Sequence, residues 1–413
     1  MKYAHQYLAT ANNLITAYNG KMPFNNYLKQ YFAANKKYGG KDRKHIAHFC
    51  FVYYRLVNAL STVSIDETIK IGLFICNENI EDIAILFDQN WIGNWKETIV
   101  ERIAFVQSIH ANFNVNNVFP LVNELSDTID AKAFTLSHLT QPDLFLRIRP
   151  THKTKVLNKL QAANIGFKQI GNDCLALNNT SKIDAVLDVD REVVVQDYSS
   201  QRIAEFLQPL LSTINHQPST FSVWDCCAAS GGKSILAKDV FGNINLTVTD
   251  VRPSIIQNLK NRFAKAGIIG YQSFVVDLTS PRTSETGHKL LVIGDGKTAN
   301  YQLSTTNYQL IICDAPCSGS GTWGRTPEQL SFFKQNDIAK YSQLQRQIVA
   351  NTITQLAPSG YFLYITCSVY KQENEDIVAF ILQQNPSLKL IKQELLIGYY
   401  KKADTMFAAL FKY

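Results

Sequence analysis

The chain has 413 residues, 46% of them apolar and 18% charged, with a formal charge of +7. That length exceeds one ordinary core, so two or three domains are expected, with the composition of a folded soluble protein. No apolar run is long enough to cross a bilayer, and MKYAHQYLATANNL lacks the apolar region of a secretion signal. No membrane partner is expected, and a cytoplasmic location with reduced thiols is expected.

Residues 1–135 read as helical. HIAHFCFVYYRLVNAL (45–60) and IEDIAILFDQNWIGNWKETIVERIAFVQSIH (80–110) are apolar-rich with few strand or turn signals, and Tyr38-Gly39-Gly40 is a break between helices. Charge is uneven here. Nine lysines and arginines between Lys2 and Arg55 face the single acid Asp42, whereas 66–101 is acidic. A basic surface of this kind suits a polyanion such as RNA, although a solvated helix face gives the same pattern.

Residues 136–200 change character. DLFLRIRP reads as a strand ended by Pro150, THKTKVLNKLQAANIGF as a helix closed near Gly166, and CLALNN and REVVVQD as strands. This is a small α/β connector.

From 201 to 413 strands and helices alternate. FSVWDC (221–226), NLTVTD (245–250), YQSFVVD (271–277), YQLIICD (308–314) and GYFLYIT (360–366) are five strands. Helical stretches such as SILAKDVF, SIIQNLKNRFAKAG and EQLSFFKQNDIAKYSQLQRQIVANTITQLA lie between them. That rhythm defines an α/β domain with a doubly wound, mostly parallel sheet. Ligands of such sheets bind beyond the carboxyl ends of the strands, where Asp250, Asp277 and Asp314 stand.

The first turn, DCCAASGGKS, follows a strand and opens a helix. Gly231 and Gly232 let a ligand approach the backbone, the helix start favours an anionic group, and Asp250 can take a ribose hydroxyl pair. A nucleoside cofactor is implied. GGKS resembles the end of a Walker A loop, but Cys227 stands where that loop needs glycine, which disfavours a P-loop nucleotidase. Gly319-Ser-Gly-Thr-Trp-Gly324 has the spacing of a dinucleotide fingerprint. It follows the fourth strand rather than the first, and so reads as a substrate-facing loop.

The eight cysteines contain no C-x-x-C pair, and the Cys313/Cys317 spacing has no matching pair elsewhere, so neither a structural zinc site nor any other metal is expected. Cys317 follows strand four and Cys367 ends strand five. If those strands are neighbours, both thiols face one pocket beside Asp314. One chemistry that uses this set is attack of a thiolate on carbon 6 of a pyrimidine, which makes carbon 5 nucleophilic toward an electrophilic methyl group. The carboxyl holds the ring, and the second thiol helps remove the carbon 5 proton. A single buried cysteine is more often a small hydrophobe; two at adjacent strand ends reverse that expectation. Spacing does not choose between the two cysteines as nucleophile.

At these residues the sequence resembles the Sun/nucleolar-protein family of RNA cytosine-5 methyltransferases, in its bacterial branch acting on small-subunit (16S) ribosomal RNA. The blocks that carry the resemblance are CAASGGKS (227–234), Asp250, Asp277, DAPCSGSGTW (314–323), YITCSVYKQENE (364–375) and the lead-in VQDYSSQ (195–201). The resemblance implies a Rossmann-like class I methyltransferase domain that binds S-adenosylmethionine at Cys227, Ala228, Ala229, Ser230, Gly231, Gly232 and Lys233. It further implies Asp250 on the ribose, Asp277 on the adenine, Asp314 near the methionine end, Cys367 as nucleophile and Cys317 assisting release. DNA cytosine methyltransferases place the nucleophile instead in a Pro-Cys pair like Pro316-Cys317. Ser230, Ser234, Ile255, Gly324 and Lys371-Gln372 depart from the family pattern, and Arg252 is a candidate replacement for the arginine absent at 255. The helical region resembles the NusB-like RNA-binding domain. A monomer acting on ribosomal RNA is expected; a transfer RNA substrate and a non-catalytic RNA-binding or assembly factor of the same fold are the alternatives.

Overall fold

The computed structural model describes residues 3–60, 62–214, 221–279, 289–294, 297–302 and 307–413. Its chain divides into two compact units, and the division is not a single cut. Unit 1 comprises Met1–Leu125, Ile129–Gln141 and Thr322–Gln335; unit 2 comprises Ser126–Thr128, Pro142–Gly321 and Asn336–Tyr413. Among the described residues no helix is long and apolar enough to cross a membrane.

Unit 1 is helical. Helices Ala4–Ala17, Phe24–Ala34, Gly40–Leu56 and Ile65–Cys76 bury one face each around Phe24, Phe49, Ile69 and Leu73. The Tyr38-Gly39-Gly40 break becomes a helix start, where the Asp42 carboxylate accepts from the Gly39 N–H at 2.8 Å. The stretch 80–110 is not one long helix. Asp88 caps Gln89–Gly93 and Thr98 caps Ile99–Ile109, so local side-chain acceptors cut the apolar run into short pieces. The segment 322–335, which follows the fourth predicted strand in sequence, folds within this unit. Arg55, almost fully buried, donates to the carbonyls of His138 and Gly324, the latter at 2.8 Å, and to Gln141 at 2.9 Å. The Phe332 ring packs edge-on against Tyr18 at 5.3 Å.

The two larger sheets described in unit 2 differ in character. The first has four antiparallel strands in the order β2-β3-β1-β4: β1 (Leu144–Ile148), β2 (Phe167–Ile170), β3 (Cys174–Leu177) and β4 (Val193–Val195). Strand β2 was not anticipated, because FKQI alternates weakly and stays partly exposed. Arg147 and Arg149 tie this sheet to the helix Gly232–Phe241 through Asp239, at 2.5 and 2.7 Å.

The second sheet runs β12-β13-β11-β10-β5-β6-β7. Strands β5 (Ser222–Asp225), β6 (Asn245–Asp250), β7 (Tyr271–Val275), β10 (Tyr308–Asp314) and β11 (Leu356–Thr366) are the five expected and are mutually parallel. Two antiparallel strands, β12 (Lys389–Leu396) and β13 (Met406–Lys412), extend the edge. A hairpin of β8 (Lys289–Gly294) and β9 (Lys297–Gln302) precedes β10. Neither pair was read from the sequence. Alternation along β10 sends Leu310 and Ile312 to one face and Ile311 and Cys313 to the other, and β11 does the same with Leu363 and Phe362. Each fully buried Leu, Ile or Phe there contributes about 1.5–3 kcal/mol. Chain order reverses between β5 and β10, which puts the crevice for a ligand at the carboxyl ends of those two strands. The long helix expected between strands four and five is two helices: Glu328–Phe332 in unit 1, and Asn336–Thr352 in unit 2.

Candidate active site

The turn after β5 is held by a chain of bonds from the sheet. Trp224 Nε1 donates to Thr249 Oγ1 at 3.0 Å, and that hydroxyl donates to the Cys226 carbonyl at 2.8 Å. Cys226 N–H bonds to the Ile312 carbonyl and Ala228 N–H to the Thr249 carbonyl, both at 2.9 Å. Gly231 then takes φ 84°, where a Cβ would lie 2.6 Å from the Phe263 ring. Glycine is required for conformation and for packing alike. Next to it a Cβ on Gly232 would meet nothing within 4 Å, so the opening turn of helix Gly232–Phe241 has room in front of it.

Acidic groups surround this turn. The Asp250 carboxylate accepts from Ala229 N–H at 3.1 Å and from Arg252 Nε at 2.9 Å. Asp277, just past β7, accepts from the backbone and hydroxyl of Thr279 at 2.9 and 2.6 Å. Lys233 reaches back across the strand ends to Asp314 at 3.1 Å and Ser200 at 2.8 Å. Ser230 receives two bonds from Arg262, whose other nitrogens pair with Asp190. Burial pushes the Asp225 carboxyl up to about 7, while Ser234 donates to it at 2.6 Å. Open space before a helix start, a strand-end carboxylate and a lysine suit a nucleoside that also bears a charged tail.

Strands β10 and β11 are neighbours, with Asp314 paired to Ile365. That register brings the Cys317 and Cys367 Sγ atoms to 3.3 Å. The Cys317 thiol is pushed well above the ordinary value, first by the hydrogen bond with Cys367 and then by burial. Cys313, by contrast, is buried on the other face of β10.

One residue that sequence reasoning did not single out holds both cysteine loops. Glu373 is completely buried and accepts from Ser318 N–H at 2.8 Å, Ser368 Oγ at 2.7 Å and Gln345 Nε2 at 3.0 Å. Ser318 follows Cys317 and Ser368 follows Cys367, so one carboxylate fixes the residue after each thiol. Asn374 adds bonds from Thr366 Oγ1 at 2.6 Å and to the Ser368 carbonyl at 3.0 Å. The signal was present in the polar run ENE so soon after an apolar strand. Gly321 completes the frame: its N–H bonds to the Cys367 carbonyl at 2.9 Å, and a Cβ there would lie 2.0 Å from the Thr405 carbonyl oxygen.

The structure therefore gathers Cys317, Cys367 and Asp314 at the ends of β10 and β11, and Cys227 to Lys233 with Asp250 at the ends of β5 and β6. A separate cavity of about 600 Å³, lined by Arg149, Arg191, Lys238 and Lys265 among others, lies at the opposite ends of the helices and touches none of these groups.

A parallel sheet with a glycine turn after its first strand and strand-end acids has the fold of Rossmann-like methyltransferases. The protein PH0851 superposes with a TM-score of 0.68 over 99% of this chain and 98% of its own, at 17% identity. NSun6 from Pyrococcus horikoshii, solved with SFG, gives 0.55 over 71% of this chain and 96% of its own, at 12% identity. Residues 211–407, just under half of the chain, match the family described as 16S rRNA methyltransferase RsmB/F. "Ribosomal RNA small subunit methyltransferase B" of Salmonella newport is 28% identical over 255 residues, 60% of this chain and 53% of that protein. Its Yersinia enterocolitica counterpart is 24% identical over 61% of this chain and 54% of its own. The chain spans about half the length of these curated relatives.

Proposed function

We propose that the protein methylates carbon 5 of a cytosine in RNA, with 16S ribosomal RNA as substrate, through a covalent bond between Cys367 and the base. The observation that carries this reading is the Cys317–Cys367 approach of 3.3 Å at the ends of adjacent parallel strands. S-adenosylmethionine is the donor and supplies an electrophilic methyl group. Cys227, Ala228, Ala229, Ser230, Gly231, Gly232 and Lys233 hold it, with Asp250 at the ribose, Asp277 at the adenine and Asp314 near the methionine end.

Cys367 adds as thiolate to carbon 6 of the ring, and the electron pair of the 5,6 double bond becomes available at carbon 5. Asp314 faces the ring edge, where its carboxylate accepts from the exocyclic amine and holds the ring. After carbon 5 carries the methyl group, its proton must leave before the Cys367–carbon 6 bond breaks. Cys317, within reach of Cys367, serves that step directly or through water. Lys233 holds the Asp314 carboxylate in place meanwhile. The helical unit, with exposed Lys36, Lys37, Lys41, Arg43 and Lys44, is an RNA-binding module in this reading. The protein acts as a cytoplasmic monomer without a catalytic metal.

Bisulfite sequencing of cellular ribosomal and transfer RNA, with and without the gene, tests the reading. Loss of one 16S cytosine methylation supports it, and a lost transfer RNA site would reassign the substrate. An unchanged methylation map would sink the enzymatic proposal.

A further inference from the structure

On the buried face of β10, away from the Cys317–Cys367 pair, three more thiols converge. The Sγ atoms of Cys226, Cys227 and Cys313 all lie within 4.8 Å of one another. They come from two neighbouring strand ends, since β5 and β10 pair in register and Cys226 N–H bonds the Ile312 carbonyl. Consecutive residues in a straight strand point to opposite faces. The chain turns at Cys226 and Cys227, and this brings both sulfurs to the side where Cys313 lies.

We propose that Cys226, Cys227 and Cys313 form a three-thiolate site for a soft, thiophilic metal ion, with copper(I) as its occupant. Three sulfur donors with no imidazole or carboxylate oxygen in the group favour a soft ion that accepts low coordination, rather than a hard ion that needs oxygen. Metal–sulfur bonds of about 2.3 Å place three sulfurs about 4 Å apart around one ion, so less than ~1 Å of contraction closes the set. Cys226 and Cys313 are fully buried, whereas Cys227 is partly exposed and offers the entry path. The surroundings favour a cation. Asp225 is fully buried, and its Oδ1 has no hydrogen-bond partner among the described residues. Each cysteine that joins the ion releases its thiol proton to solvent, and no electron is transferred. The site uses neither Cys317 nor Cys367, and it shares Cys227 with the turn proposed to hold S-adenosylmethionine.

The test uses the full chain carrying Cys317→Ser and Cys367→Ser, so that the active-site pair contributes no thiol. Copper(I) is titrated anaerobically against a chromophoric chelator, and the loaded protein is examined by X-ray absorption. One retained ion per chain with three sulfur neighbours is expected. Adding Cys226→Ala or Cys313→Ala lowers the affinity at least about tenfold, with circular dichroism reporting whether the fold survives. Failure to retain copper(I), two or fewer sulfur neighbours, or displacement of copper(I) by equimolar zinc(II) each overturns the proposal. The sulfur count stands even where an alanine variant does not fold.

Discussion

Glu373 accepts from the Ser318 N–H at 2.8 Å and from Ser368 Oγ at 2.7 Å, so one buried carboxylate clamps the two loops that present Cys317 and Cys367. Burial pushes its pKa up, and the three donors around it hold it in one orientation. Glu373→Ala frees both loops. A misplacement of about 1 Å in the thiols is expected to lower kcat for methyl transfer roughly 10²-fold. Affinity for the methyl donor, read by calorimetry, should stay near wild type. An equal loss in both quantities would show that Glu373 supports the whole domain rather than the thiols.

The two thiols themselves are separable by outcome. Cys367→Ala removes the proposed nucleophile and should lower turnover by at least ~10³-fold. Cys317→Ala leaves the attack intact and blocks release, so a protein–RNA adduct should accumulate on a denaturing gel. Full turnover by Cys367→Ala would end the assignment.

Gly321 sits where no side chain fits, 2.0 Å from the Thr405 carbonyl once a Cβ is added. Gly321→Ala must push β13 away from the carbonyl of Cys367. A stability loss of about 1–3 kcal/mol is expected, measured by urea unfolding, together with a loss of activity larger than stability alone explains.

His138 makes the helical unit sensitive to acid. Burial is the main cause that pushes its imidazole from 6.5 to about 4, and Arg55 nearby adds to it. Nδ1 bonds the Phe134 carbonyl and must carry the hydrogen, while Nε2 has no partner among the described residues and suits a neutral ring. The unfolded chain takes up a proton near 6.5 and the folded chain only near 4. Unfolding therefore binds protons in that window, and stability falls as pH falls through it, by up to about 3 kcal/mol. Melting curves between pH 7 and pH 4 should show this slope, and His138→Gln should flatten it.

The parallel part of the sheet was legible because FSVWDC, NLTVTD and YQLIICD are short apolar runs ended by turn residues or an acid. Strand β13 was not, since MFAALF lies inside the sheet, is buried throughout and shows no alternation to mark it as a strand. The stretch 80–110 was legible as helical but not its internal breaks, where Asp88 and Thr98 supply acceptors that start new helices within it.

Glycine turn, strand-end acids and cysteine motifs are local, and sequence alone determined that they exist and on which elements they stand. Which of them meet is a matter of strand order, and that is set by how the helices and strands bury their apolar faces. The pairing of β10 with β11 brings together thiols fifty positions apart. Pairing of β10 with β5 brings Cys313 to Cys226 and Cys227, a cluster with no spacing signature in the chain. Glu373 is one acid among many in the sequence; only burial and its three donors make it the residue that holds the two cysteine loops.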